Sequence, residues 1–337
     1  MKKLIVLFAI FMSASLFGQT ADQFYNSGLD KHSRKDYAGA ISDYTKAIQL
    51  DPLLSIAWYN MAAAKLTLED YSGAVDAYTK SIELKPNDAE ALYNRGVAKE
   101  GLQKYREAIE DYIRTIQIDS THAGAWFNRG SLKITLRYYE DAIIDLSMAI
   151  NLNPKNPDAF YNRAEARRLT FDYYGAISDY SRDIDMNPKD VYAYINRGMC
   201  KSSLKDFPGS VNDFSGAIEI DPGLLSAWYN RGVSRYALED YAGAIADFTK
   251  TIELSPNLTA AYNNRGLSKY SLKDLPGAIA DYTKAIGLDP SSSKAYLNRG
   301  VAKQNTGDKT GACEDWKRAG ELGEKEAFKL IEEFCGK

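Results

Sequence analysis

The chain is 337 residues long, with Lys+Arg 42 against Asp+Glu 45 and a formal net charge of −3. So even a balance excludes the concentrated basic surface that nucleic-acid phosphates require. Two histidines and three cysteines leave little material for a metal site or a thiol–imidazole pair, while tyrosine, with 24 copies, is over-used.

Met1, Lys2 and Lys3 make a short positive start, and Leu4 to Phe17 follows without a charge. A bilayer-spanning helix needs ~20 apolar residues. This run is shorter, and its flanks fit a secretory signal peptide over residues 1–18, with cleavage expected between Gly18 and Gln19. An uncleaved anchor is the alternative. No later stretch could span a membrane, so the mature chain is expected to be exported, periplasmic or secreted.

From Ala21 the sequence aligns with itself in rows of 34 without an insertion, starting at Ala21, Ser55, Ala89, Ala123, Pro157, Val191, Leu225, Thr259 and Ser293. Asn-Arg-Gly recurs at 94–96, 128–130, 196–198, 230–232, 264–266 and 298–300, with Asn162-Arg163-Ala164 in the fifth row. In the seventh row Trp228, Gly232 and Tyr236 share one helical face. Asp240 is placed to cap a second helix, whose Ala244, Phe248 and Thr251 share another face. Pro256 stops that helix, and Pro52, Pro86, Pro154, Pro188, Pro222 and Pro290 fill the same column. Ser120 interrupts the column, which predicts a looser turn in the third row.

This pattern resembles the tetratricopeptide (TPR) repeat family. The resemblance implies an all-α fold, a right-handed α-solenoid of nine helix hairpins over 21–322 (21–54, 55–88, 89–122, 123–156, 157–190, 191–224, 225–258, 259–292 and 293–322). A hairpin cannot bury its apolar face alone, so each depends on its neighbours. Residues 323–337 lose the phase and predict a capping helix, with Ala327, Leu330, Ile331 and Phe334 on one side. Cys313 and Cys335 lie roughly level across the Gly323 turn. In an exported chain a disulfide between them is favoured over two separate small apolar residues.

The resemblance also implies that the first helix of each hairpin lines a concave groove. One column there is asparagine in every row: Asn26, Asn60, Asn94, Asn128, Asn162, Asn196, Asn230, Asn264 and Asn298. Asparagine is a mediocre helix former, so its recurrence needs a reason. Its amide can both donate and accept, and a row of them could hold an extended backbone. It is similar to the asparagine ladder in the TPR superhelix of O-linked N-acetylglucosamine transferase. Local bonding within the repeats is the competing explanation. The preceding column holds Tyr25, Tyr59, Tyr93, Phe127, Tyr161 and Tyr229, read either as a half-wet binding surface or as packing between helices. Asp22, Glu90, Glu100, Asp158 and Glu165 against Arg168 and Lys294 make the expected groove mildly acidic. Too few lysines and arginines project there for the carboxylate clamp of chaperone-binding TPR domains.

Arg95, Arg129, Arg163, Arg197, Arg231, Arg265 and Arg299 follow the asparagines, level with Asp111, Asp145, Asp179, Asp213, Asp247, Asp281 and Asp315 on the second helices. An Arg–carboxylate brace inside each repeat is expected; row two lacks both partners, with Met61 and Ala77, and row one pairs Ser27 with Asp43. No catalytic constellation, phosphate loop, cofactor motif or metal-ligand spacing appears. The expected function is a non-enzymatic scaffold or assembly factor that binds a protein or peptide segment in the groove. Carbohydrate binding or processing and self-association are the alternatives.

Overall fold

The computed structural model describes residues 19–336, and the expected signal peptide at 1–18 lies outside the described residues. The chain divides into two compact units, one ending at Leu132 and the other beginning at Lys133. The first unit contains α1 (Ala21–Ser33), α2 (Tyr37–Leu50), α3 (Ser55–Thr67), α4 (Tyr71–Leu84), α5 (Ala89–Gly101) and α6 (Tyr105–Ile118). The division falls inside α7 (Ala123–Thr135). The second unit continues through α8 (Tyr139–Leu152), α9 (Pro157–Leu169), α10 (Tyr173–Met186), α11 (Val191–Ser203), α12 (Phe207–Ile220), α13 (Leu225–Ala237) and α14 (Tyr241–Leu254). It ends with α15 (Thr259–Ser271), α16 (Leu275–Leu288), α17 (Ser293–Thr306), α18 (Lys309–Glu321) and α19 (Lys325–Phe334). Among the described residues the fold is all-α, a helical repeat whose odd-numbered helices from α1 to α17 begin 34 residues apart. None of these helices is long and apolar enough to cross a membrane.

Seven of the nine second helices are started by an aspartate side chain. Asp240 accepts from the Gly243 N–H at 2.9 Å, and Asp36, Asp70, Asp172, Asp206, Asp274 and Asp308 cap in the same way. Lys104 and Tyr138 replace the cap without a side-chain bond. The hairpin turn contains a feature that the repeat pattern did not signal. Lys35, Glu69, Gln103, Arg137, Phe171, Lys205, Glu239 and Lys273 all adopt left-handed backbone, with φ from 58° to 67°. That conformation costs a non-glycine residue ~1–2 kcal/mol. Paired turn bonds offset it, as where Asp36 N donates to Lys31 O and Lys35 N to His32 O, both at 2.9 Å. The turn at Ser120 is as well bonded as its siblings. Trp126 Nε1 donates to Ser120 O at 3.0 Å, as Trp58 does to Pro52 O, so proline is not what closes it.

The core repeats one contact. Tyr44, Tyr78, Tyr112, Leu146, Tyr180, Phe214, Phe248, Tyr282 and Trp316 on the second helices are fully buried. They press on a small residue of the first helix. A Cβ at Gly300 would lie 2.5 Å from Trp316 Nε1, which is why the column tolerates little beyond glycine or alanine. At the C-terminal end Leu330 and Ile331 of α19 pack beside Trp316 and Ala319. The structure joins Cys313 and Cys335 with Cα atoms 5.7 Å apart, and leaves Cys200 as a buried free thiol.

The brace is bidentate. Arg95, Arg163, Arg197, Arg231, Arg265 and Arg299 each donate through Nε and Nη2 to both oxygens of the aspartate sixteen residues on, at 2.6–3.0 Å. Two further connections were not foreseen. A second cation one turn later reaches the same carboxylate, as Arg235 does Asp247 at 3.0 Å and Lys269 does Asp281 at 2.7 Å. The arginine's Nη1 also reaches back to a hydroxyl of the preceding repeat, Ser215 for Arg231 and Thr249 for Arg265. Asp247 is 1% exposed and Arg231 9%, so the charges are buried together. Asp247→Ala leaves two cations facing no carboxylate and is expected to cost ~3 kcal/mol. Adding Arg231→Met should recover part of that loss, as measured by urea melts; a double variant weaker than the single one would refute the account.

Asp183 stands where other repeats have a small or hydroxyl residue. Ser81 and Thr115 at that place donate to the carbonyls of Ser55 and Ala89, but the Asp183 Oδ2 atom has no partner and the residue is 1% exposed. Burial, with Asp190 and Asp158 nearby, pushes its carboxyl up to about 7. The folded state therefore favours the protonated acid. The stability this lends is full below the ordinary value of 3.8 and is lost as pH rises towards 7. Melting Asp183→Asn beside the wild type should show an advantage for the variant that widens between about pH 4 and 7 and then levels off. A pH-independent gap would show that the carboxyl does not titrate there.

Candidate functional site

The asparagine and tyrosine columns meet in hydrogen-bonded rungs within each unit. Asn60 Nδ2 donates to the Tyr25 hydroxyl at 2.9 Å, Asn94 to Tyr59 at 3.1 Å and Asn128 to Tyr93 at 3.3 Å in the first unit. In the second unit Asn196 reaches Tyr161 and Asn264 reaches Tyr229, each at 3.0 Å, and Asn298 reaches the amide oxygen of Asn263 at 3.0 Å. Each bond crosses from one repeat to the one before, so the asparagines stabilise the stacking of first helices. Asn26 lies in the first of the described repeats and is exposed. Asn230 lies opposite Ile195, which offers no hydroxyl. Asn162 follows Phe127, which likewise has none, and is held by other contacts.

The tyrosine rings are not free platforms. Tyr25, Tyr59, Tyr93, Tyr161 and Tyr229 rest on the buried rings of Tyr44, Tyr78, Tyr112, Tyr180 and Phe248, centroids 5.6–6.0 Å apart. Burial raises the hydroxyls of Tyr25, Tyr59 and Tyr93 and pushes Tyr161 up to about 12, so all remain protonated. A tyrosine that accepts from asparagine still has its own O–H to donate. The asparagine still has its amide oxygen to accept with. Each Asn–Tyr rung therefore keeps the capacity for one donor and one acceptor.

The expected groove charges divide into two groups. Asp22, Asp158 and Lys294 are exposed on the first helices, and Glu90 is exposed with His122 Nε2 3.5 Å away. Glu100 and Glu165 are instead tied down. The Tyr112 hydroxyl donates to Glu100, and burial raises that carboxyl. Glu165 accepts from the Tyr180 hydroxyl, from Asn196 Nδ2 at 2.9 Å and from Arg168. These contacts remove Glu100, Glu165 and Arg168 from the count of available charges. The signal was in the columns, since only these two rows place a carboxylate within reach of the second-helix tyrosine. Tyr44 and Tyr78, lacking one, have buried hydroxyls without a partner.

Family models described as tetratricopeptide repeat match residues 89–122, 123–156 and 226–258, and one described as TPR repeat matches 66–103 and 266–307. These segments are TPRs. Among solved structures, the C-terminal part of a TPR repeat-containing protein from Cytophaga hutchinsonii aligns with a TM-score of 0.61 at 17% identity, over 71% of this chain and 98% of that one. A tetratricopeptide repeat protein from Parabacteroides merdae aligns at 0.51 and 20%, over 72% and 96%. YrrB, described as a TPR protein with an unusual peptide-binding site, aligns at 0.53 and 24%, over 56% and 96%. At these identities the likeness is one of fold. No curated protein is a significant match.

The two kinds of buried tyrosine should respond oppositely to loss of the hydroxyl. Tyr78→Phe removes an unpartnered polar atom and is expected to leave stability unchanged or raise it by up to ~1 kcal/mol. Tyr180→Phe strips a donor from Glu165 and is expected to cost ~1–3 kcal/mol. Thermal melts that rank the two the other way round would overturn the assignment.

Proposed function

We propose that the ladder face of the first helices holds an extended protein segment, and that the protein acts as a scaffold or assembly factor rather than an enzyme. The observation that supports this most is the pairing within each rung. The asparagines spend their N–H groups on stacking, yet a carbonyl oxygen and a tyrosine O–H remain at every complete rung. Those are the two groups needed to accept from a peptide N–H and donate to a peptide C=O. YrrB is described as having a peptide-binding site, and the same repeat type here gives such a site a comparable scaffold. Exposed Asp22, Glu90 and Asp158 favour a neutral or basic segment. The half-buried tyrosine rings, packed on core rings, weigh against sugar stacking.

Crosslinking capture with Asn60, Asn94 and Asn128 all changed to Ala should lose partners that the wild type retains. Tyr25, Tyr59 and Tyr93 changed to Phe removes the same stacking bonds but spares the amides, and should lose fewer. Equal partner sets for wild type and the alanine variant would remove the ladder as a binding face.

Export is part of the same proposal, supported by the charge pattern of residues 1–18 and the level placement of Cys313 and Cys335. Chain produced through an oxidising compartment should titrate one thiol after denaturation, Cys200, with the other two paired. Three thiols would argue against an exported, stapled C-terminus.

A further inference from the structure

Repeat two departs from its siblings inside the brace. Elsewhere a buried aspartate accepts from the cation one turn after the arginine position, at 2.6–3.0 Å from Lys31 in the first repeat to Lys303 in the last. Lys65 occupies that place in repeat two, but its aspartate is replaced by Ala77 and its arginine by Met61. The carboxylate nearest Lys65 is the helix cap Asp70, at 3.5 Å. Where both partners are missing, a cavity of about 430 Å³ lies between α3 and α4, walled by Trp58, Met61, Ala77 and Thr79 with Lys65 beside them, and rimmed by Asp76 and by Glu83, which Lys80 neutralises at 2.7 Å. The arginine that lies 4.7 Å over Trp126 and over Trp228 in other repeats has no counterpart on Trp58.

We propose that this cavity binds an acidic side chain of a partner polypeptide, its carboxylate on Lys65 where the missing aspartate would stand. Repeat one supplies the precedent. There too the arginine is absent, and Asp43 is held by Lys31 at 2.6 Å and by the Ser27 hydroxyl at 2.6 Å, with its carboxyl lowered despite burial. A lysine at this place, helped by a hydroxyl and by Lys46 at 3.6 Å, thus holds a carboxylate without the guanidinium; in repeat two Lys80 stands where Lys46 does and no hydroxyl replaces Ser27. Trp58 and Met61 provide apolar walls for the methylene stem. The volume exceeds what a carboxylate alone fills, which favours a side chain carried on a chain over a small free acid. The site lies on α3 and α4 and uses no residue of the asparagine–tyrosine ladder, so the two can fail separately.

Met61 lines the cavity and serves as the reporter. In full-length protein carrying ¹³C-methyl methionine, acetyl-Ala-Glu-Ala-amide is titrated beside its glutamine counterpart. The glutamate peptide should move the Met61 signal saturably and leave the other methionines in place, and the glutamine peptide should bind about tenfold more weakly or worse. Lys65→Gln should weaken the glutamate peptide to the same degree. Ala77→Asp fills the site from within, and should shift Met61 by itself and abolish the response. The remaining methionine signals report that both variants are folded. Equal binding of the two peptides, or undiminished binding by folded Ala77→Asp, would overturn the proposal.

Discussion

A buried carboxylate organises this protein. In eight of the nine repeats an aspartate of the second helix is 1–4% exposed, from Asp43 to Asp315. Taking such a charge out of water costs several kcal/mol unless its lone pairs are matched. One arginine cannot match them alone, because its fork uses two directions and leaves others open. The second cation from the next turn of the first helix completes the set. Both cations come from the same helix, so the carboxylate fixes the rotation of α13 against α14, or α15 against α16, more tightly than apolar contact would. The remaining guanidinium N–H then reaches the preceding repeat's Ser or Thr. One electrostatic requirement thereby specifies the hairpin and its register on its neighbour.

The packing of large on small follows from that rotation. Once the first helix is held, the ring of Phe248 or Tyr282 must sit against Gly232 or Gly266, since no larger residue fits at 2.7–2.9 Å. Tyrosine in this place brings a hydroxyl that must be met. Tyr112 and Tyr180 use Glu100 and Glu165, whereas Phe214 and Phe248 avoid the problem. Tyr44 and Tyr78 leave the hydroxyl unpartnered, at a cost that the surrounding packing absorbs.

Much of this was legible in the columns. The helix starts, the caps at Asp240 and its siblings, the small–large packing and the Arg–Asp pair all follow from residue type at fixed spacing. Other features were not. Left-handed Glu239 or Lys35 carries no residue signature, because its conformation is imposed by the bonds closing the turn. The second cation escaped because a lysine or arginine in a helix is ordinary in composition, and only the buried carboxylate it reaches makes it special. For the asparagine ladder the columns could not separate local bonding from ligand binding. The geometry shows the local bonding, from Asn60 to Tyr25 through Asn264 to Tyr229, and an amide and a hydroxyl that bond each other each keep the chemical capacity for one further bond.

Repetition itself then gives a way of separating structure from activity. A residue present in every row is explained first by what every row must do, which is to stack. The informative positions are those where one row departs from the rest and its neighbours do not compensate. Glu165 departs from an apolar column, but Arg168, Tyr180 and Asn196 close around it, so that departure is absorbed by the fold. Asp183 departs and is absorbed only when protonated. Repeat two departs by losing Arg and Asp together, which preserves charge balance but leaves Lys65 in place beside an opening. A fold optimised for stability alone would have removed the lysine as well, or filled the space. Keeping the cation while vacating its partner is the arrangement of a site that awaits a carboxylate from outside.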